Sequence, residues 1–249
     1  MNSYIKEYHR YITDNNNPER AAKEKAYLYS ELKHYGVSVW EMRKFAKFHK
    51  KELLALSKKK MLVLVESLWR KRTHEERSMA LLVLNMHLEK LDIKDMPFVE
   101  RLMRESNGWA FLDSLIIPAM PEIIRKDKRG YEYLKKWIKD KDYWVRRSAL
   151  LAQLLFFRKN CNGDYKLFFK LAKSQLDESW IDSEYEDKLQ NGRAKFFIRK
   201  AIGWSLREMS VKQPELVVLF VNKNKDSMAG LTYREATRKL PEEYKAKLI

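Results

Sequence analysis

The chain is poor in the residues that make cross-links, turns and metal clusters. Its one cysteine, Cys161, excludes an internal disulfide and any cysteine-based metal cluster, which fits a reducing compartment. Seven glycines and six prolines leave little for turns, while the abundant Leu, Lys, Glu, Arg, Ala and Met favour helix. The five histidines, His9, His34, His49, His74 and His87, are scattered without ligand spacing, so no metal site is expected. Neither a Gly-rich phosphate loop nor a Gly-x-Ser-x-Gly turn occurs; nucleotide hydrolysis is disfavoured and no cofactor is expected, dinucleotides included. Leu150 to Phe157, the best candidate for an apolar run, falls far short of a bilayer span, and no lipidation signal accompanies it. Met1 to Arg10 is too polar for the apolar core of a signal peptide. An intracellular, cytoplasmic protein without membrane attachment is the expectation.

What the chain does have is positive charge. Fifty-one Lys and Arg against 34 Asp and Glu give a formal +17, a self-repulsion usually kept for an acidic partner. Nucleic acid is the first candidate. The 249 residues and 45% hydrophobic content are ample for a core, and no shift in composition marks a boundary, so a single domain over 1–249 is expected.

Helical signals recur every fifteen to twenty residues, and no stretch alternates as a strand would. Tyr4 to Asp14 is a short amphipathic segment ending in Asn15-Asn16-Asn17-Pro18, a loop and helix start. Pro18 to Tyr35 predicts a long helix closed by Gly36. Ser38 and Glu41 have capping-box spacing. Leu53 to Lys71 predicts helix broken around Ser57 to Lys60, and Thr73 caps a helix running to Leu91. Met96 to Glu105, Gly130 to Ile138, Tyr143 to Phe157, Asp164 to Leu176, Arg193 to Met209, Pro214 to Val221 and Tyr233 to Leu240 follow as helices. Asn107 and Gly108 break the chain before a helix at Trp109, which Pro118 and Pro121 are expected to interrupt. The fold class is therefore all-α. Paired helices at a rough period of ~40 residues favour an α-α superhelix of tandem HEAT-like repeats with a concave basic face over a compact bundle.

Three stretches carry chemistry. Trp109 and Asp113 share one helix face at i and i+4; a carboxylate beside a flat aromatic suits a substrate that is or becomes cationic, although a plain core-plus-surface helix shows the same spacing. Tyr143-Trp144-Val145-Arg146-Arg147 opens a helix with first-turn amides beside two guanidiniums, an arrangement that would hold a phosphate. In Lys195 to Glu208, Phe197, Ala201, Trp204 and Glu208 fall on one stripe with Arg199 and Lys200 beside it, as in either a ligand-facing helix or a buried one with snorkelling cations. Gly203, costing about 1 kcal/mol within a helix relative to Ala, calls for a closely packed neighbour or a ligand.

At these residues the sequence resembles the AlkD family of DNA alkylation repair glycosylases, HEAT-like repeat proteins that remove cationic alkylated purines from duplex DNA. Phe196-Phe197-Ile198-Arg199-Lys200-Ala201-Ile202-Gly203-Trp204-Ser205-Leu206-Arg207-Glu208 is similar to the family's Phe-Phe-Ile-x-Lys-Ala-Ile-Gly-Trp-x-Leu-Arg-Glu signature. Trp144-Val145-Arg146-Arg147-Ser148-Ala149 resembles its Trp-x-x-Arg-x-Ala, Trp109 and Asp113 fit its Trp-x-x-x-Asp, and Tyr27 resembles the tyrosine of a cleft-lining helix. Leu231 to Ala236 looks like the C-terminal repeat. The resemblance implies a monofunctional, monomeric glycosylase acting on N3- or N7-alkylated purines in double-stranded DNA. Asp113, Trp109 and Trp204 would be its catalytic residues, and Arg147, Tyr27, Arg146, Lys200 and Arg199 would contact DNA. Two positions depart from the pattern: Gly108 stands where a second Trp often precedes the motif, and Ala110 where Asp usually follows Trp109. They keep an alternative open, a non-catalytic HEAT-like module binding duplex or branched DNA. A third reading, a protein-interaction scaffold, gives no reason for the aromatic and arginine cluster.

Overall fold

The computed structural model describes residues 2–161 and 163–249. Among these the fold is all-α, with an isolated bridge between Lys33 and Thr73 and no strand. No described helix is long and apolar enough to cross a membrane. The chain divides into two compact units, Met1–Leu115 and Ile116–Ile249.

The first unit holds α1 (Asn2–Asp14), α2 (Pro18–Leu28), α3 (Val39–Phe48), α4 (Lys50–Leu54), α5 (Lys58–Trp69), α6 (His74–Asn85), α7 (Met96–Arg104) and the start of α8 (Trp109–Lys126). Tyr4, Tyr8 and Ile12, four residues apart, bury one stripe of α1, and the Tyr8 hydroxyl donates to the Glu75 carbonyl at 3.0 Å. The Ser38–Glu41 capping box forms as predicted, and Ser57 and Thr73 cap α5 and α6. Only four residues join α5 to α6, which pack on each other as the paired pattern predicts.

Two expectations fail here for visible reasons. Helix α2 stops at Leu28, seven residues early: Tyr29 adopts a left-handed φ of 49°, and the connection to α3 is gathered onto the buried Glu75 carboxylate. One oxygen of Glu75 accepts from the amides of Tyr35, Gly36 and Val37 at 2.9, 2.7 and 3.3 Å. Gly36 is therefore no helix stop. With φ +81°, it lies so near α2 that a Cβ would sit 2.1 Å from the Asn17 carbonyl oxygen. The second failure is α8, which runs straight through Pro118 and Pro121. Proline at 118 has no N–H for the carbonyl of Ser114 four residues before it; the side-chain amide of Asn85 donates to that carbonyl instead, at 3.1 Å.

The second unit continues with α9 (Gly130–Trp137), α10 (Tyr143–Leu151), α11 (Leu154–Lys159), α12 (Tyr165–Lys173), α13 (Ser179–Glu184), α14 (Lys188–Ser210), α15 (Pro214–Asn224), α16 (Gly230–Thr237) and α17 (Glu242–Lys245). Helix α14 is its axis, packing on α10, α11, α13, α15 and α16. It starts five residues before the expected Arg193 because Asp187 accepts from the Gln190 amide at 2.8 Å. The helix predicted over Tyr143 to Phe157 is instead α10 and α11, separated where buried Gln153 turns its amide oxygen to accept from the Asp164 N–H at 2.7 Å. Gly203 has its explanation in a packed neighbour: a Cβ there would lie 2.5 Å from Cβ of Glu235 and 3.1 Å from the Thr232 carbonyl oxygen, both on α16.

Candidate nucleic-acid interface

In the first unit the turn before α8 is held rigidly. The Trp69 indole donates to Glu105 Oε2 at 2.7 Å, and Arg77 donates to the Glu105 carbonyl at 2.7 Å and the Trp69 carbonyl at 3.2 Å. The Arg77 guanidinium also stacks over the Trp69 ring, 4.6 Å from its centroid. Asn107 follows with φ 46°, a left-handed value that Asn tolerates better than most residues. The chain then enters α8 with Trp109 half-buried, while Phe111 packs inward against Trp69 and His74 at 5.7 and 5.0 Å between ring centroids.

Tyr27, 69% exposed in the last turn of α2, meets Trp109 edge to face, with centroids 6.0 Å apart and an interplanar angle of 84°. Asp113 lies one turn beyond Trp109, partly exposed, between the buried Leu112 and the exposed Ser114. Tyr27 thus meets Trp109 directly, and Asp113 follows Trp109 at i+4 on the same helix. A cavity of about 140 Å³ opens beside Trp109, lined by Tyr29, His74, Gly108 and Ala110 among others. A Cβ at Gly108 would meet nothing within 4 Å. The two positions that depart from the family pattern therefore border open space.

The second unit carries the cationic and aromatic residues. Tyr143 and Trp144 begin α10, with rings 4.7 Å apart, and Phe197 of α14 lies 4.6 Å from Trp144. Burial raises the Tyr143 hydroxyl to about 12, so it stays protonated. The first-turn amides expected to face a phosphate are satisfied internally: the Tyr143 N–H donates to the Tyr185 hydroxyl at 3.1 Å, and that of Trp144 to the Asp142 carboxylate at 2.8 Å.

Arg147, only 4% exposed, donates to the Phe197 carbonyl at 2.9 Å with its guanidinium 5.4 Å from that ring's centroid. Arg146 lies flat on Trp180, 3.5 Å from the ring centroid, and donates to the Asp140 carbonyl and to Gln175. Burial is the main reason its pKa falls below the ordinary arginine value. Arg199 makes a two-pronged pair with Glu178, both contacts 2.6 Å, and Lys200 meets Glu235 at 2.5 Å. Trp204 is partly exposed on the same helix. Arg147 and Trp144 come together with Phe197, Arg146 packs apart on Trp180, and Arg199 and Lys200 each hold a carboxylate of this chain.

Sequence spacing missed one convergence. Glu24, His34 and His74 each offer a ligand atom within 4.8 Å of the others. Their separation along the chain hides this from any spacing rule, and the only local hint was His74 directly after its helix cap.

The helices place the chain in the class of all-α proteins, with aromatic-cationic clusters in its second unit. Residues 10–240 match the family described as DNA alkylation repair enzyme, and the chain belongs to that family. Its role is therefore in DNA alkylation repair, with DNA as the partner. A solved structure of a predicted DNA alkylation repair enzyme from Enterococcus faecalis is similar, with a TM-score of 0.73 and 22% sequence identity over 91% of this chain and 97% of that one. At that identity the likeness speaks for the fold. No curated protein sequence matches the chain.

Proposed function

We propose that the protein is a monofunctional DNA glycosylase that hydrolyses the N-glycosidic bond of N3- or N7-alkylated purines in duplex DNA. The observation that carries this reading is the Trp109–Asp113 pair, a partly exposed carboxylate and indole on one helix face, with Tyr27 edge-on to the indole. Alkylation has already made the base cationic, so it leaves without a general acid. The water oxygen bonds to C1′ as the C1′–N bond breaks, the bonding electrons neutralise the departing purine, and the water proton passes through Asp113 to solvent. Asp113 stabilises the positive charge that develops on the sugar and orients the water. Trp109, one turn before Asp113 on the same helix, offers its π-face to that charge.

Arg147, fixed by the Phe197 carbonyl and ring, acts as a phosphate clamp in the second unit, and Tyr27 as a backbone contact in the first. Arg146, Arg199 and Lys200 are the further cationic contacts of this reading. Arg199 and Lys200 are each paired with a carboxylate, Glu178 and Glu235, which must yield part of the cation's charge to a phosphate. Backbone contacts of this kind carry no base information, so the proposed enzyme reads lesions without a sequence preference.

The test is release of 3-methyladenine and 7-methylguanine from methylated duplex DNA by wild type and Asp113→Asn. Release by wild type alone, with DNA binding equal in both, supports the proposal. Release by both would remove Asp113 from the chemistry. The second reading, a DNA-binding module without excision, draws on the open space at Gly108 and Ala110; tight binding without release by wild type would establish it.

A further inference from the structure

The buried cluster of Glu24, His34 and His74 has no part in the glycosylase reading. Glu24 stands on α2 one turn before Tyr27, His34 on the connection to α3, and His74 opens α6. Their side chains are 16%, 1% and 5% exposed. Arg20 approaches one oxygen of Glu24 at 3.5 Å, and the other oxygen faces both rings, 3.3 Å from His34 Nδ1 and 3.9 Å from His74 Nε2. On the far side of the rings, His34 Nε2 and His74 Nδ1 are buried without a hydrogen-bond partner.

We propose that Glu24, His34 and His74 form a binding site for a divalent transition-metal ion of the zinc class. Two imidazoles and one carboxylate are a donor set such ions take, three protein ligands leaving one position open. Ligand atoms around a tetrahedral zinc with bonds of ~2.0–2.1 Å lie roughly 3.3 Å apart. Glu24 and His34 already have that separation, His74 Nε2 lies 3.9 Å from the same oxygen, and all three ligand atoms lie within 4.8 Å of one another. The rings are stacked, with centroids 4.4 Å apart and an angle of 17°. An imidazole lone pair lies in the ring plane, so two nearly parallel stacked rings cannot both aim at one ion; binding turns one ring out of the stack. His74 borders the cavity beside Trp109, which provides the ion's route and the water for its open position. The bound ion cross-links α2, the α2–α3 connection and α6, and so fixes the turn that carries Tyr27. This site does not depend on the proposed chemistry at Asp113.

The test uses the metal-stripped full-length chain and zinc ion at neutral pH, in competition with a chromophoric chelator, with cobalt(II) as a spectroscopic substitute. One zinc bound per chain, a rise in melting temperature with zinc, and the intense visible bands of tetrahedral cobalt are expected. Glu24→Gln and His34→Gln should each weaken binding at least tenfold, while His9→Gln leaves it unchanged. Circular dichroism checks that each variant retains its helix content. No zinc bound at a chain-equivalent concentration by the wild type would overturn the proposal whatever the variants do. So would binding that survives both substitutions, or cobalt spectra of octahedral character.

Discussion

Pro118 and Asn85 lend themselves to a double-mutant cycle, because the proline removes a donor that the asparagine supplies from another helix. Asn85 donates to the Ser114 carbonyl at 3.1 Å, the carbonyl a residue 118 with an N–H would engage itself. A hydrogen bond of this kind contributes about 0.5–1.5 kcal/mol, and Ser114 is exposed enough for water to recover part of it, which points to the lower half of that range. Asn85→Ala should thus cost about 0.5–1 kcal/mol in the wild type. In a Pro118→Ala background the helix makes its own bond, and the same substitution should cost close to nothing. Proline's stiffening of the unfolded chain cancels in the cycle, since it is common to both arms. Urea unfolding followed by circular dichroism measures all four proteins, provided each unfolds in one transition with a shared slope. An equal cost of Asn85→Ala in both backgrounds would refute the reasoning and leave the continuity of α8 unexplained.

Three further outcomes are expected, besides the loss of excision in Asp113→Asn. Arg147→Ala should lower the log–log salt slope of DNA binding by about 0.9, the loss of one phosphate contact, measured by fluorescence anisotropy from low to moderate salt; an unchanged slope would confine Arg147 to holding Phe197. Gly203→Ala gains about 1 kcal/mol of helix propensity but drives a methyl to within 2.5 Å of Glu235 Cβ, and overpacking of about 1–3 kcal/mol should prevail. A higher melting temperature would show that α16 yields easily. Burial raises the Glu235 pKa, but the Lys200 and Arg207 cations outweigh it and the net value lies below the ordinary 4.5. Its stabilisation is therefore complete above the unfolded value and lost as pH falls through the lower folded one. Glu235→Gln should flatten acid destabilisation below about pH 4.5; an unchanged acid limb would show that the pair is screened.

Local signals in the sequence predicted local structure well. Ser38 with Glu41, Ser57 and Thr73 each mark a helix start because a cap is a bond between residues three apart, and Pro18 marks one because its missing N–H costs nothing in the first turn. The errors came where a distant group overrode the local one. Glu75 pulls the α2–α3 connection out of helix from 39 residues away, and Asn85 makes a mid-helix proline tolerable from 29 residues away. At the site, the i,i+4 relation of Trp109 and Asp113 was visible in the chain. The edge-on Tyr27 had only resemblance to indicate it. The carboxylates on Arg199 and Lys200 were invisible, since Glu178 and Glu235 lie 21 and 35 residues away. The histidine cluster had no sequence signature, because three segments supply one ligand each.

The Glu75 arrangement determines where this protein can vary. Its carboxylate grips three consecutive backbone amides, and an amide is the same in every residue but proline. Side chains at Tyr35 and Val37 can therefore be exchanged with little effect on the grip itself. Two positions lack that freedom: Glu75, buried where a neutral replacement would leave the amides a poorer acceptor, and Gly36, where any side chain meets the Asn17 carbonyl. A library over this connection should accordingly keep Gly36, an apolar residue at the buried position 37 and the Ser38 cap, with the path of the loop encoded mainly by an acid in another helix.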